Sequence, residues 1–480
     1  MIKKIFGHSF LYTLANHIPL VANIFILPII TPFLTREDYG IYGLTYAYIG
    51  GVQAFSMLGI DVLFQNSFFK HKTTYKELWA KYLSILLIWR ILYSIIIGFL
   101  LYFLFKSKIN EDFFIYLGLV LVPILFFDLT KSIGTKYCQY EGKHQFVYVS
   151  SFIASVFTLL TSFISIYYFR LGYLGFFIAS AVAGLIQFIF YFYILHIKLR
   201  IIPDFNISRI FFKKLIKIGT PVIPHHYAGF LLESSDRILL DLNGITLKNI
   251  GGYNLAYNFS NYFGSFNLSM NSVLSPIYFK CFSLNDNKKA NSLINSMTIL
   301  WFCFLLIACL LICIWSKEII SLIYRNPEFE NIYKYVPFII VSMMYRPFYF
   351  ISVIKSIFLE KTKSILKISI GGALINLVAN LIFVPFYGIK AALLSTFVSY
   401  IYMGFSGFYI PSLKKNINFY YRPSLFMGII IVSLFLGIYI TDANFLTKIL
   451  LTLFILFSSV IIYKFKLRNL IKELNNENLI

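Results

Sequence analysis

Residues 82–105, YLSILLIWRILYSIIIGFLLYFLF, contain one charged side chain, Arg90. A helix needs about 20 predominantly apolar residues to cross a bilayer core about 30 Å thick. This stretch therefore reads as a membrane span, and the arginine inside it needs its own explanation. The pattern recurs outward in both directions, with apolar stretches from Ser9 to Tyr463 and no polar block between them. Of the 480 residues, 59% are hydrophobic and 13% are charged. Soluble domains average about 45–50% and about 25%. A water-soluble fold is excluded, and so is one anchor attached to a globular domain. Hydropathy predicts fourteen spans, roughly at residues 9–33, 39–64, 79–105, 113–135, 146–169, 173–196 and 216–241, then 249–279, 291–315, 333–358, 365–386, 389–411, 424–441 and 446–463. The fold class is an all-α polytopic membrane protein.

Lys and Arg total 42 against 20 Asp and Glu, a net charge of +22. In a polytopic chain this excess belongs to cytoplasmic loops, which are the ones not translocated. With both termini inside, the inner segments hold 29 basic residues, the outer segments 10, and the spans Arg90, Arg237 and Arg346. The bias near three to one predicts cytoplasmic termini. No soluble patch carries the basic charge, so no nucleic-acid partner is expected. The five cysteines include Cys303, Cys309 and Cys313 inside the apolar run WFCFLLIACLLIC, and none has disulfide or zinc spacing. The basic start MIKKIFGHSF resembles a signal peptide, but the apolar stretch after it is too long and lacks a small-residue cleavage site. It is read as a retained first span.

An internal repeat is visible. Gly40, Tyr42, Leu44 and Tyr46 match Gly251, Tyr253, Leu255 and Tyr257 at a constant offset. Gly172-x-x-Gly175 corresponds to Gly388-x-x-Ala391, and Glu141-Gly-Lys to Glu360-Lys-Thr-Lys. Six spans separate the copies, so the halves share one orientation, as in parallel repeats about an axis along the membrane normal. The expected organisation is an N-lobe at 1–200, a C-lobe at 201–415, a trailing helix pair at 416–465 and a cytoplasmic tail at 466–480. A site is expected between the halves near mid-depth.

A charge at mid-membrane costs about 2.5–3.5 kcal/mol by insertion scales, so such groups face protein or water. The candidates for substrate contact or cavity lining are Arg90, Arg346, Arg237, Asp236, Glu233, Asp61, Asp128 and His17. In GFLLESSDRILLDLNG, Glu233, Arg237 and Asp241 are spaced i, i+4, i+8 on one stripe. Arg237 is thus either neutralised by its own helix or lines a cavity. Arg90 and Arg346 have no carboxylate three or four residues away. Their counter-charge is Asp61 or Asp128 across a helix contact, or the cargo itself. A guanidinium suits a diphosphate because its planar fork stays charged and donates paired hydrogen bonds. No phosphate loop, no His-Glu-x-x-His and no outer loop long enough for a catalytic domain is present. No enzyme activity, cofactor or metal is expected, though a coupling ion, H+ or Na+, is left open.

Four segments together carry a family resemblance: FLTREDYGIYGL (33–44), YEGKHQFVYVS (140–150), LIKIGTPVIPHHYAGFLLESSDRILL with IGGYNLAYN (215–240, 250–258), and LEKTKSILKISIGGALINLVANLIFVPFYGIKAALLST (359–396). The chain resembles the polysaccharide-biosynthesis, O-antigen-flippase-like branch of the multidrug/oligosaccharidyl-lipid/polysaccharide (MOP, MATE-like) exporters. Asp236-Arg237 ahead of Gly252-Tyr253 is the most specific element. The resemblance implies two six-helix lobes plus a trailing pair, alternating access, and flipping of undecaprenyl-diphosphate-linked oligosaccharide across the bacterial inner membrane. It implies a lipid-linked oligosaccharide and the bilayer as partners, with a glycan polymerase and a chain-length regulator nearby. The chain is less similar to lipid II flippases, since its first span has no Arg or Asp. Two other readings compete: a cation-coupled drug antiporter of the same superfamily, and a membrane glycan polymerase.

Overall fold

The computed structural model describes residues 25–109, 111–220, 223–283, 287–359, 363–410 and 422–462. His17 and most of the first predicted span lie outside them. Among the described residues, all regular structure is helical. Nine helices are long and apolar enough to cross a membrane, and Phe445–Val460 is a shorter apolar helix. The second, seventh and eighth predicted spans are also helical, but broken or too polar to join those nine. The second forms α1 (Arg36–Gln53) and α2 (Asp61–Lys70), separated by turns at 54–60. The chain divides into two compact units, Met1–Phe230 and Leu231–Ile480.

The first unit continues with α3 (Tyr75–Phe105), α4 (Phe113–Val122), α5 (Asp128–Tyr140), α6 (His144–Ser162), α7 (Tyr173–Phe192) and α8 (Arg209–Gly219), and α9 (Ile223–Glu233) crosses the division at Phe230. Thr35 begins α1 with a capping box: its side chain accepts from Asp38 N, and the Asp38 carboxylate accepts from Thr35 N. The other carboxylate oxygen of Asp38 accepts from Tyr173 N at 2.8 Å, tying the starts of α1 and α7. Between α4 and α5 the chain runs through a π-turn at Pro123–Phe127. Proline supplies no N–H there and opens the local ladder. At one end of the unit Trp79, Phe64, Tyr82 and Tyr137 form a buried aromatic core, with Trp79 Nε1 donating to Ser67 Oγ at 2.9 Å.

The second unit holds α10 (Ser235–Leu242), α11 (Leu247–Phe282), α12 (Asn287–Ile323), α13 (Val336–Ser342), α14 (Arg346–Phe358), α15 (Lys363–Tyr387), α16 (Ile389–Tyr409), α17 (Pro423–Thr441) and α18 (Phe445–Ile462). A 3-10 turn, Met343–Tyr345, separates α13 from α14. Pro347, at the second position of α14, has no N–H to donate back into that turn. The trailing pair is stapled to α12. Lys448, 1% exposed, pairs with Glu318 at 2.7 Å, and Trp315 Nε1 donates to Thr452 Oγ1 at 3.0 Å.

The repeat read from the sequence has a backbone counterpart. Gly172 precedes α7 with φ 53° and ψ −131°, and Gly388 precedes α16 with φ 54° and ψ −130°. Both are conformations that side-chain-bearing residues rarely adopt. In each unit this glycine turns the chain so that a helix returns along its predecessor, α7 on α6 and α16 on α15. Large apolar side chains such as Phe103, Phe114, Phe386 and Phe435 remain exposed on the units. That is the surface expected of a protein whose solvent is lipid.

Candidate functional site

In the second unit a polar knot forms where four helices meet. Asp236, in the first turn of α10, is 0% exposed and is the one carboxylate in the buried class among the described residues. Its oxygens accept from Tyr253 Oη at 2.6 Å, Asn380 Nδ2 at 2.7 Å and Thr396 Oγ1 at 2.9 Å. Turned so that its nitrogen faces Asp236, the Asn376 amide reaches Oδ1 at 2.9 Å. Ser395 Oγ donates to Asn380 Oδ1, closing the ring of partners. The reason is local: the turn at Ser234 interrupts the helix and leaves Asp236 at a fresh N-terminus, where the helix dipole favours an anion. A buried carboxylate is tolerated when its lone pairs are filled in this way.

Arg237 borders that knot but makes its hydrogen bonds elsewhere. Its Nε donates to Asn254 Oδ1 at 2.9 Å, its Nη1 donates to the Glu233 carbonyl at 2.8 Å, and the guanidinium lies 4.9 Å from the Tyr257 ring centre. Neutralisation by the carboxylates of its own helix, one of the two sequence readings, is not what is found. Glu233 offers its main-chain carbonyl, and no described carboxylate forms an ion pair with Arg237. The break at Ser234 removes the continuous helical stripe on which that reading depended. The Glu233 side chain is exposed and lies within electrostatic range of Arg346 instead.

Arg346 is the first residue of α14, directly after the 3-10 turn. Tyr345, packed face to face on Tyr400 with centroids 4.7 Å apart, sits beside it, and the guanidinium is 5.7 Å from the Tyr345 ring centre. Its Nε is buried without a hydrogen-bond partner. Among the described residues, the Arg346 guanidinium makes no hydrogen bond and no ion pair. A half-buried cation left in this state has unused donors, and unused buried donors normally find a partner.

In the first unit Arg90 is 4% exposed in the middle of α3. Its Nη1 donates to the Ile124 carbonyl at 3.3 Å, inside the π-turn, and its Nη2 lies 3.9 Å from Met57 Sδ. Asp128 begins α5 directly after that turn and interacts with Arg90 at a distance, without ion-pair contact. Asp61 is paired elsewhere, with Lys136 Nζ at 3.3 Å. Thus Asp128, and not Asp61, is the carboxylate that faces Arg90. Asp128 and Arg346 both begin a helix after an irregular turn, in the fourth and tenth predicted spans.

The structure brings Asp236 together with Asn376, Asn380, Ser395 and Thr396, which are polar but not ionisable and so were not among the residues expected from charge. The signal was present in the sequence: Asn376 and Asn380 are i, i+4 in the apolar stretch GGALINLVANLIF. Buried amides in a span are as informative as charges. Among the described residues, no group of three or more His, Cys, Asp or Glu is gathered as for a metal ion.

Comparison with solved structures places this architecture. The lipid II flippase MurJ in an inward closed conformation aligns with a TM-score of 0.69 at 18% identity, over 95% of this chain and 99% of that one. An inward-facing multidrug resistance MATE family transporter of the MOP superfamily aligns at 0.63 and 15% identity, over 85% and 99%. The Vibrio cholerae MATE transporter VcmN in its bent form aligns at 0.51 and 15% identity, over 91% and 98%. The fold is shared with these transporters. Residues 3–282 match the polysaccharide biosynthesis protein family, and the chain belongs to it. Residues 242–382 also match the MatE family. No protein of curated function matches the chain by sequence.

Proposed function

We propose that this chain flips an undecaprenyl-diphosphate-linked oligosaccharide from the inner to the outer leaflet of a bacterial inner membrane by alternating access. The observation that carries the reading is Arg346, a cation with a buried, unpartnered Nε and, among the described residues, no ion-pair contact, Glu233 acting on it only at longer range. A diphosphate would satisfy it with paired, charge-assisted hydrogen bonds. Tyr349, half-buried one turn further along α14, offers a ring and a hydroxyl to sugars. Arg90 contributes a second positive field in the first unit, reduced by its bond to Ile124. The family membership and the fold shared with a lipid II flippase support the same cargo class.

A diphosphate headgroup cannot cross hydrocarbon unaided, because ionised groups keep their hydration at great cost to transfer. Two negative charges moving out of a negative interior gain about 4–5 kcal/mol per 100 mV. The membrane potential therefore supplies enough driving force. A coupling H+ or Na+ would exchange at Asp236, displacing the hydroxyl and amide N–H donors that now fill this buried carboxylate. The glycan product would pass to a polymerase and a chain-length regulator.

The MatE match and the buried Asp236 favour one alternative, a cation-coupled exporter of small molecules. Flipping of a fluorescent undecaprenyl-diphosphate glycan in proteoliposomes separates the two. The flippase reading expects transport by the wild type and at least a hundredfold loss in Arg346→Ala at equal reconstitution. Proton- or sodium-driven dye efflux with no glycan flipping would establish the exporter instead.

A further inference from the structure

We infer that the first unit carries a binding site for a lipid-borne phosphate in a crevice between α2, the start of α3, and α8. This goes beyond the cargo assignment and does not depend on it. The crevice encloses about 510 Å³. One part of its lining is polar: Asn66, Lys70, His71 and Thr74. Among the described residues, neither the Lys70 ammonium nor the His71 ring has an ion-pair or hydrogen-bond partner. Thr74 precedes α3 without using its hydroxyl as a cap. Two basic groups, a hydroxyl and an amide thus share one concavity with donors to spare, which is the chemistry that recognises a phosphoryl group.

The rest of the lining is apolar and comes largely from α8. Phe211 stacks on Tyr82 with centroids 5.7 Å apart, and Leu215 and Ile218 follow it along the same helix. A polar pocket floored by aromatic and aliphatic side chains suits an amphiphile better than a free anion. The helix that forms this floor has the features of an interfacial one. Arg209, Lys213 and Lys217 recur every four residues and are exposed, while Ile210 is 82% exposed and Phe205, in the segment leading into the helix, 61%. Such a helix lies in the headgroup layer of an anionic membrane. Its far end is locked down, because Gly219 and Gly59 approach so closely that neither has room for a Cβ. An ion pair between Lys81 and Asp204 at 3.9 Å joins the start of α3 to the segment leading into α8. The crevice is therefore a built feature of the unit, opening where a basic helix meets inner-leaflet headgroups.

Native mass spectrometry of the full-length chain in detergent tests this, with phosphatidylglycerol, undecaprenyl diphosphate, inorganic phosphate and diacylglycerol as probes. Retention of both phosphorylated lipids supports a general lipid-phosphate site, and retention of undecaprenyl diphosphate alone identifies a cargo-docking subsite. Lys70→Ala/His71→Ala should lower the bound fraction at least tenfold. Ile218→Trp, which fills the crevice without changing charge, should do the same. Lys72→Ala/Lys76→Ala removes two neighbouring positive charges outside the lining and should change little. Equal binding of diacylglycerol, equal binding of inorganic phosphate alone, or equal losses in the control pair would overturn the inference. Glycan flipping is read separately, so a failed binding result leaves the proposed transport untouched.

Discussion

Helices α7 and α16 begin at glycines with nearly the same backbone angles, yet they carry different chemistry. Counting from Gly172 and Gly388, Ser180 stands where the second unit has Thr396, and Ala179 where it has Ser395. In the second unit Tyr257 donates to Thr396, which in turn donates to Asp236. In the first, Tyr46 and Tyr42 meet Ser180 and the chain of polar contacts does not extend to a comparable knot. The partner helices differ likewise: α15 supplies Asn376 and Asn380, whereas residues 146–168 contain no amide or charged side chain. One helical frame has thus been loaded unequally. The second unit combines a satisfied anion with a cation that makes no hydrogen bond, while the first ties its buried arginine through Nη1 to a π-turn and leaves only that arginine's Nε unpartnered.

Replacing the knot with the apolar character of the first unit should have the largest effect on stability. Asn380→Leu leaves Asp236 short of a donor and Ser395 with only the Ala392 carbonyl to bond, and a loss of about 3 kcal/mol is expected. Ser395→Ala, which installs the residue of the first unit, should cost about 1 kcal/mol. Thermal unfolding of the purified protein in detergent measures both, and equal melting temperatures would remove the asymmetry. Arg90→Met should come next, at about 1–3 kcal/mol, because it removes a charged donor from the Ile124 carbonyl. The same measurement on Arg346→Met should show no loss, since that guanidinium holds nothing in place.

The two glycines sharpen the comparison further. Alanine at either position adopts an unfavourable backbone, expected to cost about 1–3 kcal/mol. Gly172→Ala should be the worse of the two. Its Cβ would meet Asp38 Oδ1 at 2.8 Å, against Ile245 Cδ1 at 3.3 Å for Gly388→Ala. Among the substitutions that break a contact, the smallest effect is expected for Lys136→Ala, which breaks a partly exposed pair with Asp61 and should cost about 0.5 kcal/mol.

The membrane fold was legible because lipid leaves a helix few options: long apolar runs, charge bias and the Gly172/Gly388 motif are each read one residue at a time. Arg90, Arg346 and Asp236 stood out for the same reason, as expensive groups in apolar surroundings. Their partners were not legible. The break at Ser234 turns the Arg237 side chain toward Asn254, which no helical-wheel spacing anticipates. Asn376, Asn380 and Thr396 reach Asp236 from sequence distances of 140 residues and more, so only the folded chain brings them together.

The central claim is that Arg346 serves the cargo and Arg237 serves the fold. It is tested most directly by measuring surface glycan and membrane abundance together, in cells lacking the native gene and expressing Arg346→Ala or Arg237→Ala. The account predicts that Arg346→Ala reaches the membrane at wild-type levels and yields no surface glycan, whereas Arg237→Ala loses abundance and glycan in proportion. Normal glycan from Arg346→Ala at normal abundance would contradict it.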